Sequence, residues 1–194
     1  LGDVYKRQEG FGTPVEGFDH VPFNNLNALR AAITAETAGI LVEPLQGEGG
    51  IRAADPGFLR GLRAACDEFG LILGFDEVQT GMGRTGRLFA HQWGDVEPDI
   101  MSLAKGIGGG FPMAAVLARE HVAKALKPGS HGTTFGGSPL ACAVGNAVLD
   151  VILADGFLDQ MNETASYLRA GLERLIARHG DVFTELRGQG LLIG

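Results

Sequence analysis

The stretches LILGFD at residues 71–76 and IMSLAK at residues 100–105 decide the fold of this chain. Each is a short apolar run with the composition of a buried strand, and each ends in one charged residue, Asp76 or Lys105. A glycine-rich segment follows both runs. The carboxyl ends of parallel strands open onto one crevice in an α/β sheet. The two charged groups are therefore predicted to share a ligand site or to form a salt bridge.

The segments around these two strands alternate between strand and helix. Further strands are predicted at residues 39–42 and 113–118, and residues 182–193 are predicted to form strand and turn. Apolar periodicity, together with start and stop residues, predicts helices at residues 25–37, 55–69, 120–126, 138–153 and 157–178. This alternation predicts an α/β fold, with a mostly parallel sheet and helices on both of its faces.

The chain is predicted to divide near residue 153. Residues 9–153 hold the alternating elements and are assigned to a large domain, whereas residues 154–194 are expected to begin a small α+β C-terminal domain. Residues 1–8 show no periodicity and are interpreted as a possible foreign leader. Because the chain opens without methionine and stops within a strand-like segment, we hypothesise that it is a fragment of a longer protein.

Composition narrows the classes of function. The net charge is −7 and no basic block occurs, which argues against non-specific nucleic-acid binding. No apolar run approaches the length of about 18 residues that a membrane span needs, and no secretory pattern is present at the start. Cys66 and Cys142 lie in predicted helices without a CxxC spacing. Both are predicted to be reduced core residues, which suits the cytoplasm.

The charged residues at the two strand ends have a chemical interpretation beyond a salt bridge. A lysine that loses part of its hydration in a crevice can be a neutral amine, which forms a Schiff base with an aldehyde. Pyridoxal phosphate needs such a lysine, an acid for its ring nitrogen and a phosphate site. Lys105 and Asp76 supply the first two groups. Gln79 can donate to the phenolic oxygen of the ring, and Val78 can pack on its face.

A phosphate site is indicated further along the chain. GTTFGG at residues 132–137 comes directly before the helix predicted at 138–153, so Thr133 and Thr134 place two hydroxyls near its start. The N-terminus of a helix favours a bound anion. The alternative is that both threonines are plain helix-start residues.

Other catalytic motifs are incomplete. GMGRTG at residues 81–86 fits the dinucleotide pattern GxGxxG, but residues 76–80 separate it from the turn that the pattern requires. The five histidines are scattered without metal-ligand spacing. GSHG at residues 129–132 is not the GxSxG elbow of a hydrolase.

Together these segments resemble the class III pyridoxal-phosphate aminotransferases, over about residues 9–194. The resemblance rests on four motifs, VEPLQGEGG at 42–50, FDEVQTG at 75–81, AKG at 104–106 and HGTTFGG at 131–137. It implies a fold-type-I pyridoxal-phosphate transferase. GMGRTG and the GGGFP that follows Ile107 are most similar to the members that act on N-acetylornithine.

The resemblance implies roles for the residues that match its motifs. Lys105 would bind the cofactor covalently and carry a proton between the substrate carbon and the cofactor. Asp76 would pair with the pyridine nitrogen, and Val78 and Gln79 would contact the ring.

The resemblance assigns the remaining site residues to the substrate and to a second subunit. Thr134 would bind the cofactor phosphate of the neighbouring subunit, which implies a homodimer with a shared site. Thr133 would lie near the substrate, and Glu48 would pair with a substrate-gating arginine. Glu43 either ends a strand or contacts a ligand directly.

The activity that the resemblance implies is transamination. N-acetylornithine and 2-oxoglutarate would give N-acetylglutamate 5-semialdehyde and glutamate, in cytoplasmic arginine biosynthesis. Ornithine, succinylornithine, succinyldiaminopimelate and 4-aminobutyrate remain alternative donors, and an aminomutase of the same fold or a cofactor-free fragment are alternative functions. The family's substrate-binding arginines are expected outside this chain, so the isolated chain is expected to be inactive.

Overall fold

A computed structural model describes residues 15–194, so the predicted leader and the start of the predicted large domain lie outside the described residues. The helices are α1 (Leu26–Ala32), α2 (Pro56–Phe69), α3 (Glu120–Ala123), α4 (Pro139–Ile152) and α5 (Phe157–Arg178). The strands are β1 (Gly39–Val42), β2 (Leu45–Gln46), β3 (Arg52–Ala53), β4 (Ile72–Asp76), β5 (Ile100–Leu103), β6 (Ala115–Ala118), β7 (Gly188–Gln189) and β8 (Leu192–Ile193). The chain combines a mostly parallel central sheet with helices packed against it, which confirms the predicted α/β organisation.

A four-stranded sheet in the order β1-β4-β5-β6 forms the centre of the structure. β1, β4 and β5 run parallel, and β6 pairs antiparallel with β5. The mostly parallel sheet was predicted. The two small antiparallel pairs β2-β3 and β7-β8 are less evident from the sequence, because strands of two residues have no readable periodicity.

Helix α2 shows why these residues form a helix at this place. Asp55 caps its start by accepting hydrogen bonds from the N–H groups of Gly57 and Phe58, and Pro56 occupies the first position. Gly70 ends it in the left-handed conformation, with φ 70°. Five side chains on one face are buried: Phe58, Leu59, Leu62, Ala65 and Cys66. The predicted bounds and inward residues are confirmed.

The helices flank the sheet on one face within residues 15–194. Leu73 and Phe75 of β4 point into the core beneath α2, whereas Met101 and Leu103 of β5 pack with residues of α4 and α5. Side chains alternate between faces along a strand. The opposite face therefore carries Leu41, which is 71% exposed. Helices were predicted on both faces of the sheet, and within residues 15–194 they cover one face.

Helix α1 is shorter than the predicted helix at residues 25–37. It ends at Ala32, and Ile33 is already extended. The Thr37 hydroxyl accepts a hydrogen bond from the Thr34 N–H, and the Thr34 hydroxyl accepts one from the Glu36 N–H. Such side-chain bonds offer the backbone an alternative to the helix, and periodicity does not report them.

Helix α5 has the predicted bounds, but its apolar stripe is only partly core. Ala165 is its buried residue, whereas Leu168 and Leu175 are 41% and 39% exposed. No single helix among residues 15–194 is long and apolar enough to cross a membrane. Helices α4 and α5 reach that length and composition only as a pair bent by 71°.

The two cysteines differ in environment, and this difference yields a testable prediction. Cys66 is buried, as predicted, whereas Cys142 is exposed, so its prediction as a core residue is wrong. Cys142 lies on a helix face that no described element covers. Burial raises the pKa of the Cys66 thiol to about 11, and the reactive species is the thiolate. Ellman's reagent is expected to label one thiol in the native chain and two after denaturation.

The matched control for this labelling is Cys142→Ser. The variant should show no reactive thiol in the native state and one after denaturation. Rapid native labelling of Cys142→Ser would contradict the buried position of Cys66.

Candidate active site

Three charged residues lie at the carboxyl edge of three adjacent parallel strands. Glu43 follows β1, Asp76 is the last residue of β4, and Lys105 comes two residues after β5. Because β1 and β5 flank β4 in parallel register, these strand ends are neighbours. The sheet thus brings Asp76 and Lys105 to the same edge, where open α/β sheets bind their ligands.

The Asp76 carboxylate is held by its own turn and by the neighbouring strand. Its Oδ1 accepts hydrogen bonds from the Val78 N–H at 2.9 Å and from the Ser102 hydroxyl at 3.3 Å. Its Oδ2 has no hydrogen-bond partner within residues 15–194. The half-buried side chain is therefore fixed through one oxygen and can accept a ligand N–H through the other.

Lys105 is exposed and has an unusual backbone. Its φ of 47° lies in the left-handed region, which costs free energy for a residue with a side chain. It opens a 3₁₀ turn, Lys105–Gly108. In the described part of the chain no ion pair joins Lys105 to Asp76. The salt-bridge interpretation is therefore wrong here, and the amine is available to a ligand.

A cavity of about 460 Å³ opens beside Lys105. Its lining is mostly glycine and apolar side chains, with Gln79, Arg84 and Lys105 as the polar side chains. Phe157 and Leu192 close it from the C-terminal part of the chain. The cavity is thus positively charged in a chain whose net charge is −7. Such a site favours an anionic ligand.

Glu43 is electrostatically connected to the same edge. Burial raises the pKa of the Glu43 carboxyl, and so does the nearby negative charge of Asp76, while Lys105 and a hydrogen bond from the Gly47 N–H act in the opposite direction. Glu43 thus lies within the electrostatic range of both strand-end residues. In the sequence, Glu43 was recognisable because it stands at the end of a predicted strand, as Asp76 does.

Sequence reasoning missed Glu77, whose buried carboxylate organises the loop beside the cavity. Oε1 accepts a hydrogen bond from the His91 N–H at 2.8 Å and lies 3.0 Å from His91 Nδ1, and Oε2 accepts from the Ala90 N–H and the Thr80 hydroxyl. An acid directly after an apolar strand was visible in the sequence, but its partners 13 and 14 residues later were not.

The remaining predicted site residues do not all contact Asp76 or line the cavity. Val78 contributes its N–H to Asp76, as described above. Glu48 is exposed, one residue beyond Gly47. Thr133 and Thr134 are exposed in the loop before α4, and neither hydroxyl makes a hydrogen bond within residues 15–194. The hydroxyl of Ser138, not of either threonine, caps α4.

Comparison with known proteins identifies the family. The sequence profile described as Aminotransferase class-III matches residues 13–194. This chain belongs to the class-III aminotransferases. The family uses pyridoxal 5′-phosphate, and the edge that holds Lys105 and Asp76 is where the structure offers an amine and an unpaired carboxylate oxygen.

Several relatives in this aminotransferase family are similar over the whole chain. The acetylornithine aminotransferases of Brucella melitensis and Agrobacterium fabrum are each 60% identical over 193 residues, which is 100% of this chain and 48% of theirs. The chain therefore spans about half the length of these relatives.

Solved structures of class-III aminotransferases have the same fold. The ornithine aminotransferase of Toxoplasma gondii is 38% identical, with a TM-score of 0.90 over 96% of this chain and 44% of that one. The N-acetylornithine aminotransferase of Stenotrophomonas maltophilia is 40% identical, with a TM-score of 0.82 over 93% of this chain and 47% of that one.

Proposed function

We propose that this chain carries the lysine and ring-nitrogen sites of a pyridoxal-phosphate aminotransferase that acts on N-acetylornithine. One observation carries the proposal: Asp76 and Lys105 meet at the edge of adjacent parallel strands, and neither neutralises the other. A lysine amine and a separate carboxylate at one crevice are two of the three features that this cofactor requires of its protein, the third being a phosphate site.

The residues fit the cofactor one by one. Lys105 would hold the cofactor through its amine and would carry the proton that moves during transamination. Asp76, whose Oδ1 is already bonded, would hold the pyridine N–H through its unpartnered Oδ2. The Gln79 amide would donate to the phenolic oxygen, and Val78 would contact the ring. When bound, the cofactor supplies a ring that accepts electrons from the substrate.

The proposed donor is N-acetylornithine and the proposed acceptor is 2-oxoglutarate. Support comes from the name shared by the relatives that are 55–60% identical to this chain. The positively charged cavity favours dicarboxylates and other anionic substrates. Ornithine is the second candidate donor, because the Toxoplasma gondii ornithine aminotransferase has a TM-score of 0.90 with this chain.

We also propose that the enzyme is a cytoplasmic homodimer with a shared site. Thr134 would then bind the cofactor phosphate of the neighbouring subunit, which suits its exposed position. Thr133 would lie near the substrate, and Glu48 would pair with a gating arginine. The proposed boundary near residue 153 places the cavity between a large domain and the start of a small one.

A chimaera tests the proposed function directly. Residues 15–194 replace the matching segment of the Brucella melitensis enzyme, and glutamate formation from 2-oxoglutarate is measured with N-acetylornithine or ornithine. We expect activity with at least about a tenfold preference for N-acetylornithine in kcat/KM, since a site adapted to one donor discriminates by at least that factor against a donor that lacks one of its groups. A preference for ornithine would replace the proposed donor, and an inactive, folded chimaera would overturn the proposal.

A further inference from the structure

A hydrogen bond ties the end of β1 to the turn that follows it. Oε2 of Glu43 accepts from the Gly47 N–H at 3.2 Å in a part-buried position. The Gly47 carbonyl in turn accepts from the N–H groups of Gly50 and Ile51, both at 3.1 Å. Gly47 is thus held at both of its peptide groups, by the Glu43 side chain at its N–H and by backbone N–H groups at its carbonyl.

Gly47 lies directly against the amide of Gln79. A Cβ atom built on Gly47 would come within 1.9 Å of Gln79 Oε1 and 2.8 Å of its Cδ, so a side chain at this position would displace the Gln79 amide. The backbone of Gly47 is not in the left-handed region. The need for glycine here therefore comes from the close approach of Gln79 and not from an unusual φ.

The electrostatics place Glu43 in the same site. Its carboxyl is half-buried, and the charges that act on its pKa are those of Asp76, Lys105 and Glu48. A carboxylate that accepts a backbone N–H in such surroundings makes a stronger bond than a neutral acceptor. Removing it would release a turn that touches Gln79 on one side and carries Glu48 on the other.

We propose that Glu43 is a positioning residue that orients the Gln79 amide through Gly47. Glu43 holds the Gly47 N–H, the turn at residues 47–50 stays in place, and Gln79 keeps one amide orientation at the edge of the sheet. This inference rests on the proposed function for the role of Gln79 toward the cofactor. The contact itself belongs to the cofactor-free chain.

Two readouts test the inference, one without cofactor and one with it. In the cofactor-free chain, Glu43→Ala is expected to shift the side-chain amide resonances of Gln79 and to speed hydrogen exchange at the Gly47 N–H. With pyridoxal phosphate, Glu43→Ala should raise the dissociation constant about tenfold, while Glu43→Gln, which keeps an acceptor oxygen, should raise it less than about threefold. Gly47→Ala should move the Gln79 resonances as well, by steric displacement.

A double-variant comparison separates positioning from an independent contribution. If Glu43 acts through Gln79, Glu43→Ala combined with Gln79→Ala should bind pyridoxal phosphate no more weakly than Gln79→Ala alone. If the losses of affinity for pyridoxal phosphate in the two single variants instead multiply in the double variant, the inference is overturned. The control is Glu36→Ala, an exposed carboxylate before the other end of β1, which should leave both readouts unchanged.

The two proposals fail in different ways. Gln79 resonances that are identical in Glu43→Ala and in the unchanged chain overturn the positioning role, whatever the cofactor does. A chain that binds no pyridoxal phosphate while Gln79 responds to Glu43→Ala retains the positioning role and overturns the proposed function of the site.

Discussion

Lys105→Ala is expected to abolish covalent retention of pyridoxal phosphate. The sequence has four lysines, Lys6, Lys105, Lys124 and Lys127. Of the three lysines within residues 15–194, Lys105 is the one that lines the cavity at the strand edge. After borohydride reduction of the chain with bound cofactor, peptide mass mapping should find one modified lysine, Lys105, and none in the variant. In the chimaera, the same substitution should lower turnover more than about a thousandfold, because the covalent link and the proton carrier are both lost.

The control for this experiment is Lys124→Ala. Lys124 is exposed and pairs with Glu120 on the same helical turn, far from the strand edge in sequence and topology. Its loss should leave the label on Lys105. The Lys105→Ala variant should remain folded, since the exposed side chain makes no hydrogen bond or ion pair within residues 15–194. Comparable labelling of several lysines would contradict a dedicated site.

Local patterns predict the elements of this fold where the deciding forces are local. The cap of α2 at Asp55 and its end at Gly70 are readable because capping involves residues within one turn. The predicted end of α1 was wrong because hydrogen bonds of the Thr34 and Thr37 side chains compete with the helix. Neither effect requires knowledge of distant residues, but only the first leaves a clear signal.

Tertiary placement limits what the sequence predicts about burial. Cys142 and Leu168 have the helical spacing of core residues, yet both are exposed. Periodicity shows that a helix has an apolar face, and it does not show what covers that face. Which neighbour covers a face depends on packing between elements that are far apart in the chain.

The candidate site was predictable in its chemistry and not in its geometry. Asp76 and Lys105 were predicted to share an edge because each closes an apolar run, and parallel order brings the ends of such runs together. The close approach of Gly47 to Gln79 left no signal except an unexplained glycine. Side-chain contacts between separate loops need the three-dimensional structure.

Asp99 is expected to stabilise the folded chain strongly, because it is a buried carboxylate in an ion pair. Its side chain is 5% exposed, and Oδ2 accepts hydrogen bonds from Arg63 and from the Leu73 N–H, both at 2.8 Å. It therefore joins α2 to the start of β4. Arg119 and His121 also face it, with nitrogens at 3.8 and 3.7 Å from Oδ1.

Asp99→Ala should lower the free energy of unfolding by about 3–5 kcal/mol, measured by urea denaturation at neutral pH. The loss leaves the Arg63 guanidinium without its buried partner and the Leu73 N–H without an acceptor. Asp99→Asn keeps an oxygen for Leu73 and should cost less, about 2 kcal/mol. Glu97→Ala is the control. The Glu97 side chain is 83% exposed, so its ion pair with Arg119 should contribute about 0.5 kcal/mol or less to the free energy of unfolding.

The stability that Asp99 provides should also depend on pH in one direction. Burial alone would raise the pKa of Asp99, but the hydrogen bond from Leu73 and the Arg63 ion pair outweigh it, and the pKa lies below its ordinary value. The folded state therefore binds this proton less tightly than the unfolded state. The contribution is complete above the unfolded pKa of about 4 and is lost as the pH falls through the folded value. The difference in unfolding free energy between the native chain and Asp99→Asn should accordingly shrink below about pH 4. A difference that stays constant down to acid unfolding would show that Asp99 acts through its shape and not through its charge.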